Sequence, residues 1–370
     1  MLSRQRRLSA YRLGYLCTCA TLTAVVLFVF LYKPGINGYA RAMFADMVYG
    51  TAWRPFVYRT LLPTSVRLLA SAVPAETRAE LSLSLGERQW AADLCRLLGW
   101  ETEYLTEYLI ATVLMCLCLW GFVWALRYLL VAVYEVPRRI QDAFLLVALL
   151  GLTQFFHYYS YVYDFPALFL FTLGLAGMCR RKWGWYLPLY AAACVNKETA
   201  VLLAVVFAVH CFDRARLPRK RYLALLAAQL GLFAGIKTGL SLVFRDNPGS
   251  FVEVHLFDHN LALIDTYPLY GIFAWGGFAL LVFYRWSEKP LFLRQALWIA
   301  VPLVVLTALF GFLNELRDYY EVYPVVVLLA LHSLGRVLRF EVRTRRPDLT
   351  AAAAARSPAG GEPAAAGCSC

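Results

Sequence analysis

Charge is scarce in this 370-residue chain: Asp, Glu, Lys and Arg make up only 16% of it, against 61% apolar residues. That scarcity excludes an ordinary water-soluble fold, in which about a quarter of residues are charged. The signatures of soluble enzymes are also missing. There is no phosphate-binding P-loop, no dinucleotide glycine fingerprint, no His-Glu-x-x-His pair and no nucleophile elbow. Paired metal-ligand spacing is lacking among the ten cysteines, Cys17, Cys19, Cys95, Cys116, Cys118, Cys179, Cys194, Cys211, Cys368 and Cys370. Cys17/Cys19 and Cys116/Cys118 are two apart, which on a helix turns their side chains to different sides, so free, buried thiols are expected rather than disulfides. The net charge of +12 does not imply a nucleic-acid partner, because Lys and Arg punctuate apolar runs instead of gathering on one soluble face.

What the chain does have is long apolar runs, near 14–32, 107–131, 142–160, 164–180, 222–243, 266–285, 294–313 and 322–339. A hydrocarbon core about 30 Å thick needs roughly 20 helical residues, so these runs predict about eight transmembrane helices. Arg4, Arg6 and Arg7 precede the first run as in a signal peptide, but no small-residue cleavage site follows, and the run reads as a retained first helix. With the N-terminus in the cytoplasm, 24 of the 36 Lys and Arg fall inside, among them Arg138/Arg139, Arg180/Arg181/Lys182, Arg214 to Arg221 and Arg336 to Arg346. Both termini are therefore expected to be cytoplasmic.

Residues 183–212 break the pattern, with two short apolar halves separated by Asn196-Lys197-Glu198-Thr199. Such a broken helical pair survives in a membrane only where protein or a polar cavity shields it. Residues 1–346 are read as one transmembrane domain and 347–370, rich in Ala, Gly, Pro and Ser, as a disordered cytoplasmic tail. Within the former, 33–106 is an extracytoplasmic segment with interfacial helices; Leu61 to Val73 has amphipathic spacing around Arg67, with Pro63 suited to a first turn.

Four polar clusters fall on the outer side in this topology. Asp46 is followed by Arg54, Tyr58 and Arg59; a carboxylate there could serve as general base and an Arg could hold a phosphate, against the plainer reading of a surface ion pair. His157 to Pro166 is rich in tyrosines, which read as an interfacial aromatic belt, and its Asp164 reads as a cap of the helix that follows or as a cavity acid. Asn196-Lys197-Glu198 places ions at membrane depth, where neighbouring helical positions diverge by about 100° and each charge needs its own partner. Asn314 to Glu321 holds Glu315, Arg317, Asp318 and Glu321 in a tight loop, either as solvated surface or facing the same cavity. Lys237 is a further intramembrane cation whose stem can snorkel outward. His255 and His259, four apart, are too weak a signal to assign a metal.

The layout resembles the C-type (GT-C-like) integral membrane glycosyltransferases, in the form of a compact bacterial member. The likeness rests on Asp46 after the first span, Pro55-Phe-Val-Tyr-Arg-Thr-Leu-Leu-Pro63, Asp164-Phe-Pro-Ala-Leu, Asn196-Lys-Glu-Thr-Ala and Asn314-Glu-Leu-Arg. The chain departs from the family in two ways: Met47 follows Asp46 where many members have a second acid, and no large soluble domain follows the last span. The resemblance implies an all-α transmembrane bundle in a bacterial plasma (inner) membrane that serves the cell envelope. Its transferase activity would move a sugar from a polyprenyl-phosphate donor to a hydroxyl acceptor on the extracytoplasmic face. Asp46 would be the catalytic base, Arg59, Lys197 and Arg317 would bind phosphate, and Asp164, Glu198 and Glu315 would shape the sugar pocket or hold a divalent cation with phosphate oxygens. Membrane lipids and the donor are the expected partners, and no cofactor is firmly implied. The alternatives are a transporter or lipid flippase built on the broken pair, and a non-catalytic membrane assembly protein.

Overall fold

The computed structural model describes residues 2–32, 35–213, 217–250, 254, 256–261 and 269–345. Fifteen helices run through the described residues: α1 (Leu2–Tyr32), α2 (Phe44–Tyr49), α3 (Leu61–Ser71), α4 (Ala75–Gly86), α5 (Gln89–Leu98), α6 (Leu105–Val133), α7 (Arg138–Gly151), α8 (Asp164–Cys179), α9 (Trp183–Asn196), α10 (Leu202–Cys211), α11 (Arg219–Val243), α12 (Leu269–Phe283), α13 (Leu291–Ala296), α14 (Ala300–Phe310) and α15 (Tyr323–Val337). The one sheet among them is a two-residue antiparallel pair, β1 (Tyr134–Glu135) with β2 (Arg343–Thr344), which ties the chain after α15 back to the end of α6. The expected tail 347–370, the two tail cysteines and the side chains of His255 and His259 lie outside the described residues; of the eight cysteines within them Cys19, Cys95, Cys194 and Cys211 are buried, Cys116, Cys118 and Cys179 are half-buried, and Cys17 is exposed rather than buried as expected.

Among the described residues four stretches are long and apolar enough to cross a membrane: Ala10–Tyr32, Thr102–Val133, Arg219–Val243 and Leu291–Phe310. The other apolar runs form shorter helices, Asp164–Cys179 and Tyr323–Val337 among them. A 16-residue helix rises about 24 Å, less than a full hydrocarbon core, so the fold is an all-helical membrane protein with four spans of sufficient length by themselves.

The centre is α6 packed on α8. On α6, Tyr108, Ala111, Met115, Leu119, Phe122, Leu126 and Leu129 recur every three or four residues and are all fully buried. On the opposite face Val113, Leu117 and Trp124 are exposed, as lipid-facing residues must be. α8 is apolar and buried nearly all round. The two helices approach closely at Gly121, where an added Cβ would stand 2.8 Å from the Phe169 ring. Gly121→Ala is therefore expected to overpack this contact at a cost of about 1–3 kcal/mol, read as a lower melting temperature in detergent. At one end of the bundle Asp142 of α7, 3% exposed, accepts hydrogen bonds from Tyr11 of α1 at 2.8 Å and from Arg127 of α6, so one buried carboxylate joins three helices.

The amphipathic stretch at 61–73 forms α3, with Leu62, Pro63, Val66 and Ala70 buried and Leu68 and Leu69 exposed. The broken pair is the α9/α10 junction. Lys197 adopts extended backbone (φ −155, ψ 143), which stops α9 at Asn196 before a short 3-10 turn over Glu198–Val201 restarts the helix.

Candidate functional site

The break in α9/α10 brings Lys197 and Glu198 to the wall of a cavity of about 550 Å3. The turn around Phe56–Arg59, the tyrosines 158–161, the α14 residues Leu303 to Phe310 and the connection Gly311–Asp318 between α14 and α15 also line it. α11 contributes Phe233, Lys237 and Ser241, which are four apart and so lie on one helix face.

Arg59 is held from two sides. Its Nε donates to Glu198 Oε2 at 3.3 Å while Nη2 donates to Glu198 Oε1, a two-pronged pairing, and Nη1 donates to the Tyr163 hydroxyl. Burial alone would pull the guanidinium's pKa down, but the Glu198 carboxylate and Tyr163 outweigh it and hold the pKa above its ordinary value. Arg317 mirrors Arg59 across Tyr163: its Nη1 donates to the same hydroxyl at 3.5 Å, its Nε to Glu315 at 2.5 Å, and its guanidinium lies 4.3 Å over the Tyr161 ring. Burial pushes the Glu315 carboxyl up against the opposing pull of Arg317, and pushes the Tyr163 hydroxyl up to about 12. Lys197, 4% exposed, stands 3.2 Å from Glu321, and Thr199 donates to the same carboxylate.

Six of the seven residues singled out from the sequence converge here: Arg59, Lys197, Glu198, Glu315 and Arg317 line the cavity, and Asp164 lies behind it, 3.8 Å from Arg317. Asp46 is not in the lining. It sits in the short helix α2, where its carbonyl accepts from Thr51 and Ala52 and its carboxylate from the Thr51 hydroxyl at 2.7 Å. That geometry braces the Gly50 turn. Asp164 does not cap α8 as expected; its Oδ2 reaches back to the backbone N–H of Tyr161 at 3.0 Å, so it fixes the turn before the helix. Tyr161 and Tyr163 do not form an interfacial belt either, being buried at 2% and 0% exposure. Lys237 does not snorkel: its Nζ is buried and makes no hydrogen bond. Among the described residues no group of three His, Cys, Asp or Glu side chains is set to hold a metal.

Sequence reasoning missed the central part of Tyr163, whose hydroxyl joins the two guanidinium groups, and the pairing of Lys197 with Glu321. Tyrosines crowd the whole 158–163 segment, so composition offered no reason to pick one; Glu321 lies more than a hundred residues from its lysine, where no local pattern can link them.

A second cavity, about 920 Å3 and almost wholly apolar, lies between α7, α12 and α15, lined by Phe144, Val147, Phe155, Trp275, Phe278 and Val326 among others. The two cavities share the 3-10 turn Leu316–Tyr319 as a wall. Residues three apart are eclipsed in a 3-10 turn, so Leu316 and Tyr319 face the apolar side while Arg317 and Asp318 face the charged side.

No family model, curated protein or solved structure matches this chain. Its function is therefore argued from the paired cavities.

Proposed function

We propose that the chain is an integral membrane glycosyltransferase that moves a sugar from a polyprenyl-phosphate donor to a hydroxyl acceptor. The observation that carries this reading is the shared wall: a cavity rich in cations and carboxylates backs directly onto an apolar one, as an amphiphile with an anionic head and a long apolar chain requires. In this reading the chain crosses a bacterial plasma membrane about eight times with the α9/α10 break between spans, keeps both ends in the cytoplasm and opens the charged cavity outward. The positive-inside distribution of Lys and Arg supports that orientation.

The chemistry is a displacement. The acceptor oxygen bonds to the anomeric carbon as the bond from that carbon to the phosphate oxygen breaks, the electron pair leaves with the phosphate, and the hydroxyl proton passes to a carboxylate. Asp318 suits the last role best. Glu198 is engaged by Arg59 through both oxygens and Glu315 holds Arg317 at 2.5 Å, whereas the nearest cation to Asp318 is Arg317 at 3.9 Å. The base thus moves from Asp46, the residue the motif pointed to, to an acid inside the cavity.

The broken pair favours one rival, a transporter with its binding site at the helix break. One experiment separates the two. The purified chain, given a polyprenyl-phosphate sugar and a hydroxyl acceptor in nanodiscs, is expected to yield the glycosylated acceptor and free polyprenyl phosphate. Accumulation of the sugar lipid across proteoliposomes with no covalent product would overturn the transferase reading.

A further inference from the structure

The three cations that the sequence marks as phosphate ligands are already matched by the chain's own acids: Arg59 by Glu198, Lys197 by Glu321 and Arg317 by Glu315. Lys237 is different. Its Nζ, like that of Lys197, is buried at the cavity wall without a hydrogen bond, but among the described residues it has no carboxylate within 4 Å, whereas Lys197 has Glu321 at 3.2 Å. Glu198 is the acid whose charge acts on it most, but both oxygens of that carboxylate are taken by Arg59, which itself repels the ammonium.

Lys237 also sits where a free charge is costly. It lies six residues before the end of α11, about 9 Å along a helix long enough to span a membrane, and so within the hydrocarbon depth. An ionisable side chain there persists when it faces a cavity and meets a partner. Among the described residues no side chain supplies that partner, while Phe233 and Ser241 on the same helix face open onto the same space.

We propose that Lys237 is the primary anion-binding residue of the cavity, receiving the phosphoryl head of the ligand as the counter-charge that the described residues do not provide. Arg59, Lys197 and Arg317 then shape the cavity and hold its acids rather than neutralise the ligand. This assignment rests on the transferase reading for the identity of the head group, but its physical basis is the unmatched ammonium.

The test measures binding, not turnover, on the full chain in nanodiscs, with farnesyl phosphate, inorganic phosphate and farnesol as probes. Wild type is expected to be thermally stabilised by farnesyl phosphate and not by farnesol. Lys237→Met is expected to weaken farnesyl phosphate binding about 10- to 100-fold, the worth of one charge-assisted hydrogen bond. At the same time it should raise the melting temperature of the ligand-free protein by roughly a few degrees, because an uncompensated buried charge has gone. Lys237→Arg should retain binding. Stabilisation of wild type by inorganic phosphate, lost in Lys237→Met, supports the site and shows that the head alone suffices. Equal stabilisation of wild type and Lys237→Met by farnesyl phosphate overturns the role of Lys237 and leaves the transferase reading intact. If no phosphate-bearing probe stabilises the wild type, both are overturned.

Discussion

Under the proposed transferase function, Asp318→Asn is expected to lower the rate of sugar transfer by about 10²–10⁴-fold, the usual contribution of a positioned general base, with little change in melting temperature. Stability should hold because the carboxylate is 21% exposed and its nearest cation is 3.9 Å away, so no tight buried pair is broken. Gly311 offers a second handle on the same group. An added Cβ there would come within 2.7 Å of Asp318 Oδ2, and the backbone of Gly311 is not in the left-handed region, so Gly311→Ala moves the carboxylate without straining the chain. Displacing a reacting group by about 1 Å can cost as much as 10²-fold, and Gly311→Ala should fall between wild type and Asp318→Asn. Asp46→Ala is the control. It should leave turnover near the wild-type rate and cost about 1 kcal/mol through the lost Thr51 contact. Full turnover in Asp318→Asn together with its loss in Asp46→Ala would return the base to the motif residue.

Lys197→Met is expected to cost about 3–5 kcal/mol of stability, because it strands the Glu321 carboxylate in the interior. The two side chains are only 5% and 2% exposed, so water cannot take the place of the missing partner. Adding Glu321→Leu should recover most of the loss, since removing both members of a buried pair is far milder than removing one. Melting temperatures of the two single variants and the double in detergent close the cycle. An additive double variant would mean that Lys197 is not matched by Glu321, and the contrast between Lys237 and the other cations lining the charged cavity would be lost.

The parts of this fold that were legible in the sequence are those fixed by short-range pattern. Seven of the eight apolar runs coincide with helix where the structure describes them, while the run 142–160 is helical only as far as Phe155; α3 starts at Leu61 where the amphipathic spacing begins, and the helix breaks at Asn196-Lys197, where polar residues interrupt an apolar stretch. What was not legible is which polar groups meet. Arg59 finds Glu198, Arg317 shares Tyr163 with Arg59, and Lys197 finds Glu321, all across separations of more than a hundred residues that a single sequence cannot connect. Charge type and depth told that these residues needed partners, not who the partners were. Asp46 stands outside the cavity lining for the converse reason. A lone acid after the first span fits a motif, but the glycine turn that follows it uses the same carboxylate for a local purpose.

The Leu316–Tyr319 turn has a thermodynamic corollary. Because one turn of backbone carries side chains into both cavities, a ligand that moves the turn itself through Arg317 or Asp318 on one side also moves Leu316 and Tyr319 on the other. Occupancy of the two spaces is then linked, and linkage is reciprocal: by whatever factor an apolar chain in the larger cavity alters affinity for an anion in the smaller, the anion alters affinity for the chain by the same factor. The partition is thus the place in the fold through which the head and the tail of one ligand would each weigh on the binding of the other.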